Sequence, residues 1–288
     1  MNMLANESFL DTAQIRQNVL SLAKAIGYIP TSNHGAEAVI DIYVKPTRNE
    51  NTIIQTITLE KYTKLLGTSI NGINYPFVTL NSNTVYKEAS AFTFPGIQIK
   101  QGEVVTQQYT VSAANPNRRF QLPSANVDIS SLTVVVFESS SNSDRREYSP
   151  ANDLTELTPE SYVYFVEEDE TLYYSIYFGD GVLGYMPKNG NVVQVTYLET
   201  VGTIADNISS FKFVQPIAGL YREDVRITTT QESHGALNKE EISSIRVRAP
   251  HFYTAQNRAV TTADYESVIL KDYPNVDAVS VWGGEDNS

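Results

Sequence analysis

Short segments in which apolar and polar residues alternate recur along most of this chain, and they limit its possible folds more than any other feature. The first covers residues 39–44 (VIDIYV) and stops near Pro46. Such alternation is typical of a half-buried strand, because successive side chains point to opposite faces. The connections are rich in Asn, Ser, Gly and Pro, which favours an antiparallel sandwich or barrel over a parallel α/β sheet.

More strands are predicted beyond the first. Residues 53–59 follow a polar turn and are expected to form its hairpin partner. Further strands are predicted at residues 84–87, 97–100, 103–111, 132–138, 162–166, 171–178 and 192–198. The 18 Tyr and 11 Phe residues agree with this prediction, since aromatic side chains suit a pleated, half-buried surface.

Helical periodicity appears near both ends of the chain. The N-terminal apolar stripe consists of Ile15, Val19, Leu22 and Ile26. Asp11 or Thr12 is expected to cap this helix and Gly27 to end it. We expect the stripe to pack on the chain's own sheet, with a bundle of partner helices as the alternative.

Two helices and a strand are predicted after residue 200. Residues 238–241 resemble a capping box for the first helix, which Pro250 is expected to end. Thr261 or Thr262 caps the second, and a strand follows at 277–282. The polar loop between the helices contains Gln256, Asn257 and Arg258. These side chains either secure their own turn or contact another subunit.

The predicted fold is therefore α+β and mainly β, with three parts. Residues 1–36 hold the N-terminal helix and loop, and 37–200 form a barrel-like or sandwich body, with a division near 112–120 left open. Residues 201–288 begin an α+β domain. One strand cannot cover two helices, so we expect this domain to be truncated and the chain to be a piece of a longer protein.

Composition excludes several classes of function. The 21 Lys and Arg against 33 Asp and Glu give a net charge of −12, which disfavours a nucleic-acid surface. The sequence holds no apolar run long enough for membrane insertion and no secretory signal. The absence of Cys excludes disulfides and thiol chemistry, and agrees with assembly in a reducing cytoplasm.

Motifs for catalysis or cofactor binding are weak. Residues 179–184 match G-x-G-x-x-G, but Pro187 prevents the helix that a dinucleotide site needs. We interpret this segment as tight turns at Gly179, Asp180, Gly181, Gly184, Asn189 and Gly190. His34, His234 and His251 lack metal-ligand spacing, and loop hydrogen bonding or exposure is expected for the first two. The acidic run 167–170 is expected to be a solvated hairpin tip, and no enzyme activity, cofactor or metal is predicted.

Four segments, in order, resemble the baseplate wedge proteins of contractile-tailed (T4-like) bacteriophages, including the baseplate J-like group. They are residues 9–30, ending in GYIP; 121–134, with QLPSANVD; 178–197, beginning FGDG; and 248–265, with QNRAVT. The resemblance spans residues 9–282 and fades in the Ser-rich loop 139–143. Members of that family are much longer, which again suggests that this chain is a piece.

The resemblance implies a structural subunit that holds wedges together around the tail hub and relays the trigger for sheath contraction. It implies other wedge subunits and a second copy of the same protein as partners. The location is then the virion tail baseplate, after assembly in the host bacterial cytoplasm. The alternative is a carbohydrate-binding or receptor-recognition β module, with a stacking platform formed by Tyr162, Tyr164, Tyr173, Tyr174 and Tyr177. Aromatic pairs in a core explain the same tyrosines.

Overall fold

The computed structural model describes residues 6–46, 55–88, 90–112, 114–115, 119–151, 157–169, 171–217, 224–255, 259, 261–273, 276 and 278–282. The fold is mainly β with helices near both ends, which confirms the predicted class. The helices are α1 (Arg16–Ala25), α2 (Ile242–Ala255) and α3 (Thr262–Asp272). The strands are β1 (Glu37–Val44), β2 (Thr56–Leu59), β3 (Lys64–Thr68), β4 (Asn74–Thr79), β5 (Asn83–Tyr86), β6 (Phe92–Gln101), β7 (Glu103–Thr110), β8 (Phe120–Gln121), β9 (Val127–Ser139), β10 (Asn142–Pro150), β11 (Val163–Glu168), β12 (Tyr174–Phe178), β13 (Val192–Glu199), β14 (Ser210–Phe213) and β15 (Val225–His234).

Six strands form one antiparallel sheet in the order β14-β3-β4-β6-β1-β15. The sheet curls until its outer strands meet, where Ser233 N donates to Ile208 O at 2.9 Å. Alternate side chains of each strand point into the curl, as the two-residue period predicts. The enclosed core includes Ile40, Ile42, Leu65, Phe77, Phe92, Phe94 and Ile99. We call this sheet the first barrel.

The predicted pairing of residues 53–59 with residues 39–44 is wrong. Both edges of β1 are occupied, by β6 on one side and β15 on the other. The short strand β2 pairs instead with β5, and its Ile57 and Leu59 side chains pack into the core of the first barrel. Burial of these two side chains therefore places β2 over the barrel.

Seven further strands form a second sheet in the order β7-β13-β9-β10-β11-β12-β8. Its end strands approach each other, since the Tyr109 hydroxyl donates to Gln121 O at 2.6 Å. The core of this second barrel includes Leu122, Val134, Tyr164, Tyr174, Ile176, Val193, Val195 and Tyr197. All its strands lie between β6 and β14 in the chain, so the second barrel is an insertion into the first. The boundaries predicted at residues 36 and 200 stay predictions.

The N-terminal helix packs on a helix of its own chain, so the expectation that its stripe packs on a sheet is wrong. The core shared by α1 and α2 consists of Ala13, Val19, Ala23, Tyr28, Ile245 and Ala249, with Leu22 and Ile26 on its margin. Small alanine side chains on both helices allow this close approach. We call α1, α2 and α3 the helical lobe.

Several helix ends differ from the sequence predictions. Helix α1 begins after Ile15, which makes no side-chain cap, so the predicted cap at Asp11 or Thr12 is wrong. The Glu7 carboxylate accepts from Gln14 N and Ile15 N just before the helix. Pro250 lies inside α2, which loses one hydrogen bond there and continues to Ala255. The predicted cap of α3 at Thr261 is confirmed, and it is part of a capping box: the Thr261 side chain accepts from Asp264 N, and the Asp264 carboxylate accepts from Thr261 N.

Two other C-terminal predictions are also wrong. Asn238 does not cap α2, because its side-chain amide contacts Thr203 instead. Its Oδ1 accepts from Thr203 N at 3.4 Å, and its Nδ2 donates to Thr203 Oγ1. No strand forms over residues 278–282. Helix α2 therefore lacks the predicted cap, and the described C-terminal segment adds no strand.

Candidate assembly interface

The predicted interface residues fall in three different environments. Val19 is fully buried under α2, whereas Ile15 is 50% exposed beside it. Leu22 and Ile26 are partly buried at the same helix contact. Because α2 covers most of the stripe, only its Ile15 end is free to meet another chain. Gln256, Asn257 and Arg258 lie outside the described residues, and their role stays a prediction.

Glu167 and Glu168, the last two residues of β11, hold the helical lobe, so the prediction of a solvated hairpin tip is wrong for them, whereas Glu170 lies outside the described residues. The Glu168 side chain is only 7% exposed and accepts two hydrogen bonds from Arg16, from Nε at 2.8 Å and Nη2 at 3.2 Å. Lys239 Nζ lies 3.4 Å from the same carboxylate. A buried carboxylate is costly unless it is paired with a cation and hydrogen-bonded, and Arg16 on α1 supplies both.

The neighbouring Glu167 makes a second, more exposed contact with α1. Its carboxylate lies 3.4 Å from Lys24 Nζ and 2.7 Å from Arg119 Nη1. Burial raises the pKa of Glu167, but the Arg119 and Lys24 cations outweigh it and hold that pKa below its ordinary value. Both cations also lie over the Tyr177 ring, with the Arg119 guanidinium 4.6 Å from its centre. The lobe is thus held to the second barrel by charged and polar groups.

A third carboxylate, Glu240, fixes the segment that leads into α2. It accepts from the Tyr28 hydroxyl at 2.9 Å, Thr31 N at 3.1 Å and Ser244 Oγ at 2.8 Å. Burial and this carboxylate together raise the pKa of the Tyr28 hydroxyl far above its ordinary value. Tyr28 therefore stays protonated and donates its hydrogen bond throughout the physiological range.

A separate charged cluster joins the two barrels. Lys100 on β6 lies 2.9 Å from the fully buried Asp128 on β9, and 3.2 Å from Glu37 on β1. His34 lies 3.5 Å from each of the two carboxylates. Ser130 donates to Asp128 and accepts from Lys100 at 3.0 Å. The cluster therefore ties strands of both barrels to the N-terminal loop.

Protonation in this cluster is set by opposite charges. Burial lowers the pKa of His34, but Asp128 and Glu37 outweigh it and raise that pKa to about 9. The pKa of Glu37 falls to about 2, chiefly because its carboxylate accepts a hydrogen bond from His34. Burial opposes this shift, and the charge of Lys100 adds to it. The pKa of Asp128 also falls well below its ordinary value, since His34 and Lys100 overcome burial. His34, Glu37 and Asp128 are therefore charged at neutral pH.

The histidines take part in hydrogen bonding of loops and strands. His34 belongs to the charged cluster, and His234 ends β15, where its Nδ1 lies 3.0 Å from Glu232 O. Within the described residues, no group of three His, Asp or Glu side chains is arranged to hold a metal ion. Two histidines thus have local partners that account for their positions.

The glycine-rich segment after β12 forms tight turns and leads into no helix. Gly181, Gly184 and Gly190 have φ near +90°, a region open to glycine at little cost. Asp180 Oδ1 accepts from Val182 N and Leu183 N, both at 2.9 Å. The remaining two positions are Gly179, packed against the Gly184 carbonyl, and Asn189, which precedes Gly190 in a turn. This geometry serves chain reversal and presents no phosphate cradle.

The tyrosines of β11 and β12 do not form an open stacking platform. Tyr164 and Tyr174 are buried in the second core. Tyr162 packs on Tyr148 and Tyr185, with ring centres 5.3 and 4.8 Å apart. Tyr177 stacks on Phe165 and is covered by the cations described above, and Tyr173 is 36% exposed. The pairs therefore serve packing and disfavour the carbohydrate alternative.

An open cleft of about 590 Å³ lies where the N-terminal loop, the second barrel and the segment before α2 meet. It is lined by Asn33, Ala125, Asn126, Leu172, Thr200, Val201, Asn238, Lys239 and Glu241. Several of these polar groups already bond one another, as Asn33 Oδ1 does with Lys239 N at 2.6 Å. The cleft thus belongs to the junction between the parts of the chain.

Charge partners far apart in sequence could not be inferred beforehand. Arg16 and Glu168 are 152 positions apart, and Lys100 and Asp128 follow no recognised motif. One signal was available in the charge pattern, since Arg16 and Lys24 lie eight positions apart on the polar side of α1. Cations repeated at that spacing indicate a charged helix face, without naming its partner.

In sequence, the chain is similar to a baseplate wedge protein. No protein-family model matches the chain. The baseplate wedge protein gp6 of Enterobacteria phage T4 is 21% identical over 301 aligned residues, which cover 96% of this chain and 43% of that protein. The chain thus spans less than half the length of this relative, and the match confirms the resemblance to baseplate wedge proteins.

A structural match is looser. The cryo-EM structure of the anti-feeding prophage baseplate, with 6-fold symmetry applied, has 12% sequence identity, a TM-score of 0.33, and coverage of 92% of this chain and 48% of that chain. A TM-score of this size does not establish a common fold.

None of the helices in the described part of the chain is long and apolar enough to cross a membrane.

Proposed function

We propose that this baseplate wedge-like protein is a non-catalytic structural subunit of a contractile-tail baseplate. The observation that carries the proposal is the match to a baseplate wedge protein along 96% of the chain. The subunit then assembles in the host cytoplasm and resides in the virion tail. Its partners are other wedge subunits and a second copy of itself.

The finer role is to hold wedges together and to relay the trigger for sheath contraction. Three separate apolar cores support it, one in each barrel and one in the helical lobe. The lobe meets the second barrel through ion pairs of Glu167 and Glu168, and the barrels meet at the Lys100 cluster. Bodies with separate cores and polar contacts move relative to one another more readily than bodies that share a core.

Exposed apolar side chains on the helical lobe and just after it are the surface that we assign to partner subunits. They are Val247 and Tyr253 on α2, Tyr265 on α3, and Tyr273 and Trp282 beyond the end of α3, with exposed fractions from 48% to 65%. Aromatic residues with a polar tip are enriched at protein interfaces and costly to leave in water. Ile15 adds a further exposed apolar side chain on α1.

The test is co-expression of this chain with the tail proteins of the same phage, followed by size-exclusion chromatography with light scattering. We expect a complex heavier than the 32.0 kDa chain. Val247→Glu with Tyr253→Glu should remove the chain from that complex, whereas Thr230→Glu on β15 should leave it bound. A chain that stays monomeric and elutes apart from every tail protein would contradict the proposal.

A further inference from the structure

The chain passes between the two barrels twice, and the two crossings lie against each other. The first crossing is Gly102, the single residue between β6 and β7, and the second runs from the end of β13 at Glu199 to Gly202. A Cβ at Gly102 would lie 2.9 Å from Leu198 Cβ and 3.2 Å from Glu199 O, so the first crossing packs on the start of the second. The second barrel is therefore joined to the first at one place.

Each crossing contains a glycine with a positive φ, which is +151° at Gly102 and +69° at Gly202. Residues other than glycine rarely adopt such angles, and glycine has the widest range of φ and ψ. In proteins that open and close, hinges are a few residues at the ends of elements that absorb large changes of these angles. Gly102 and Gly202 are thus the positions at which the crossings can turn with the least strain.

Beyond the crossings, ion pairs connect the barrels. Lys100 on β6 pairs with Asp128 on β9, and Lys64 on β3 lies 3.6 Å from Glu103 on β7. Among the described residues, the two apolar cores have none in common. Bodies of this kind can rotate against each other without opening either core. A rotation about the crossings therefore separates polar contacts and leaves the strand pairing of each barrel in place.

The Gln101 side chain bonds the two crossings to each other. It is fully buried, and its Oε1 accepts from the Thr200 hydroxyl and from Val201 N, the latter at 3.1 Å. The Thr200 hydroxyl in turn accepts from Gly202 N at 3.2 Å. Gln101 Nε2 is buried without a hydrogen-bond partner among the described residues, and an unpaired buried donor is costly. Gln101 is therefore placed for its contact with the second crossing at the expense of its own amide.

We propose that Gly102 and Gly202 form a hinge on which the second barrel turns as a rigid body, and that Gln101 and Thr200 form the clasp that holds its present orientation. The clasp fixes the angle between the crossings, because it links the residue before the first glycine to the amide of the second. Without the clasp, the ion pairs at the junction set the orientation alone. The hinge rests on the contacts of this chain and does not depend on the proposed function, for which it supplies an axis of movement.

Distances between spin labels on the two barrels measure this movement, and the natural chain contains no Cys to interfere. Thr93→Cys on β6 and Ser143→Cys on β10 place one label at an exposed position of each barrel. Thr93→Cys with Lys212→Cys on β14 places both labels on the first barrel and reports the stiffness of that barrel alone. Double electron–electron resonance then gives the distribution of distances for each pair.

Thr200→Val breaks the clasp, because valine keeps the shape of the buried side chain but can neither donate to Gln101 nor accept from Gly202 N. We expect the distribution between the barrels to become at least about twice as wide, and the distribution within the first barrel to stay unchanged. Thr196→Val is the matched control, since the Thr196 hydroxyl bonds Thr106 within the second barrel at 3.1 Å. Both distributions should match the natural chain in this control.

A second variant changes the hinge itself. In Gly102→Ala the added Cβ meets the second crossing, and the mean distance between the barrels should shift by at least about 3 Å, because a small displacement at a hinge is amplified away from it. Gly96→Ala on β6 is its control, since φ there is also positive, at +62°, but the added Cβ meets open space.

Two results would overturn the hinge. One is a distribution between the barrels that matches the natural chain in both Thr200→Val and Gly102→Ala. The other is equal broadening of the label pair within the first barrel, since that would show a general loosening of the fold. A chain that joins a wedge complex yet fails these tests would lose the hinge and keep the proposed function.

Discussion

Lys100 on β6 and Asp128 on β9 form a buried ion pair between two different barrels, with Nζ 2.9 Å from Oδ2. Their side chains are 5% and 0% exposed, so water screens the pair little. The insertion of the second barrel between β6 and β14 makes this pair a contact between two bodies that have separate apolar cores. Its removal should therefore reveal how strongly the barrels are coupled.

Lys100→Met is expected to lower the free energy of unfolding by about 3 kcal/mol, because it leaves the Asp128 carboxylate buried with His34 as its remaining cationic neighbour. Urea titration followed by tyrosine fluorescence measures the loss. The control is Lys64→Met. The ion pair between Lys64 and Glu103 is about half exposed, so its loss should lower the free energy of unfolding by less than about 1 kcal/mol. Equal costs for both variants would mean that the buried pair does not hold the barrels together.

The charge of His34 gives this junction a dependence on alkaline pH. The pKa of the His34 imidazole is about 6.5 in the unfolded chain. In the folded chain burial lowers this pKa, but Asp128 and Glu37 outweigh burial and raise it to about 9. A raised folded pKa contributes stability that is fully present below pH 6.5 and is lost as the pH rises through 9. The natural chain should thus lose stability between pH 6.5 and 9.

His34→Gln is the comparison for this pH dependence, because glutamine keeps hydrogen-bonding atoms but carries no charge. The difference in urea midpoint between the natural chain and His34→Gln should shrink as pH rises from 6.5 to 9.5. His234→Gln, at an exposed position, serves as the control and should follow the natural chain. A difference that stays constant across this range would show that His34 does not carry a folding-linked proton.

Attachment of the helical lobe depends on Glu168. Glu168→Gln removes the anion between Arg16 and Lys239, whose side chains are each 17% exposed, and leaves two cations facing each other. We expect opening of α1 to become easier by at least about 1.4 kcal/mol, which is tenfold faster amide exchange over residues 16–25. Hydrogen–deuterium exchange with mass spectrometry measures this change.

Lys24→Met provides the control for the lobe, since Lys24 is 53% exposed and its pair with Glu167 is weak. The rate of amide exchange over α1 should change less than about threefold in Lys24→Met. Raising the salt concentration should change the exchange rate of Glu168→Gln little further. If both variants open α1 equally, general loss of charge rather than the buried contact is responsible.

Local patterns predicted elements well and partners poorly. The alternation in residues 39–44 and the stripe from Ile15 to Ile26 gave the strand and the helix, because each depends on side chains near in sequence. The partners of β1 lie 48 to 63 positions away in β6 and 181 to 197 positions away in β15, and many strands of similar pattern compete for each edge. The partner of α1, helix α2, lies more than 200 positions away. Separation in sequence, rather than weak patterns, limited the prediction.

The same limit applies to the charged contacts. The run at residues 167–170 was expected in solvent because acidic residues usually are, and nothing beside it in sequence suggested Arg16 as a partner of Glu168. Turn glycines behave differently, since the positive φ of Gly181 and Gly190 is demanded by the local chain reversal. Features decided within four residues were thus accessible from sequence, and features decided by tertiary packing were not.

The glycines of the turn after β12 should differ sharply in their tolerance of alanine. A Cβ at Gly179 would lie 2.3 Å from Gly184 O and 2.4 Å from Leu183 O, so backbone must shift to admit it. Gly179→Ala should cost about 2–3 kcal/mol of stability. Gly181→Ala meets open space, and its φ of +89° should cost about 1 kcal/mol. Thermal unfolding of both variants by circular dichroism tests this order, and a larger loss for Gly181→Ala would refute the close packing of Gly179 on Gly184.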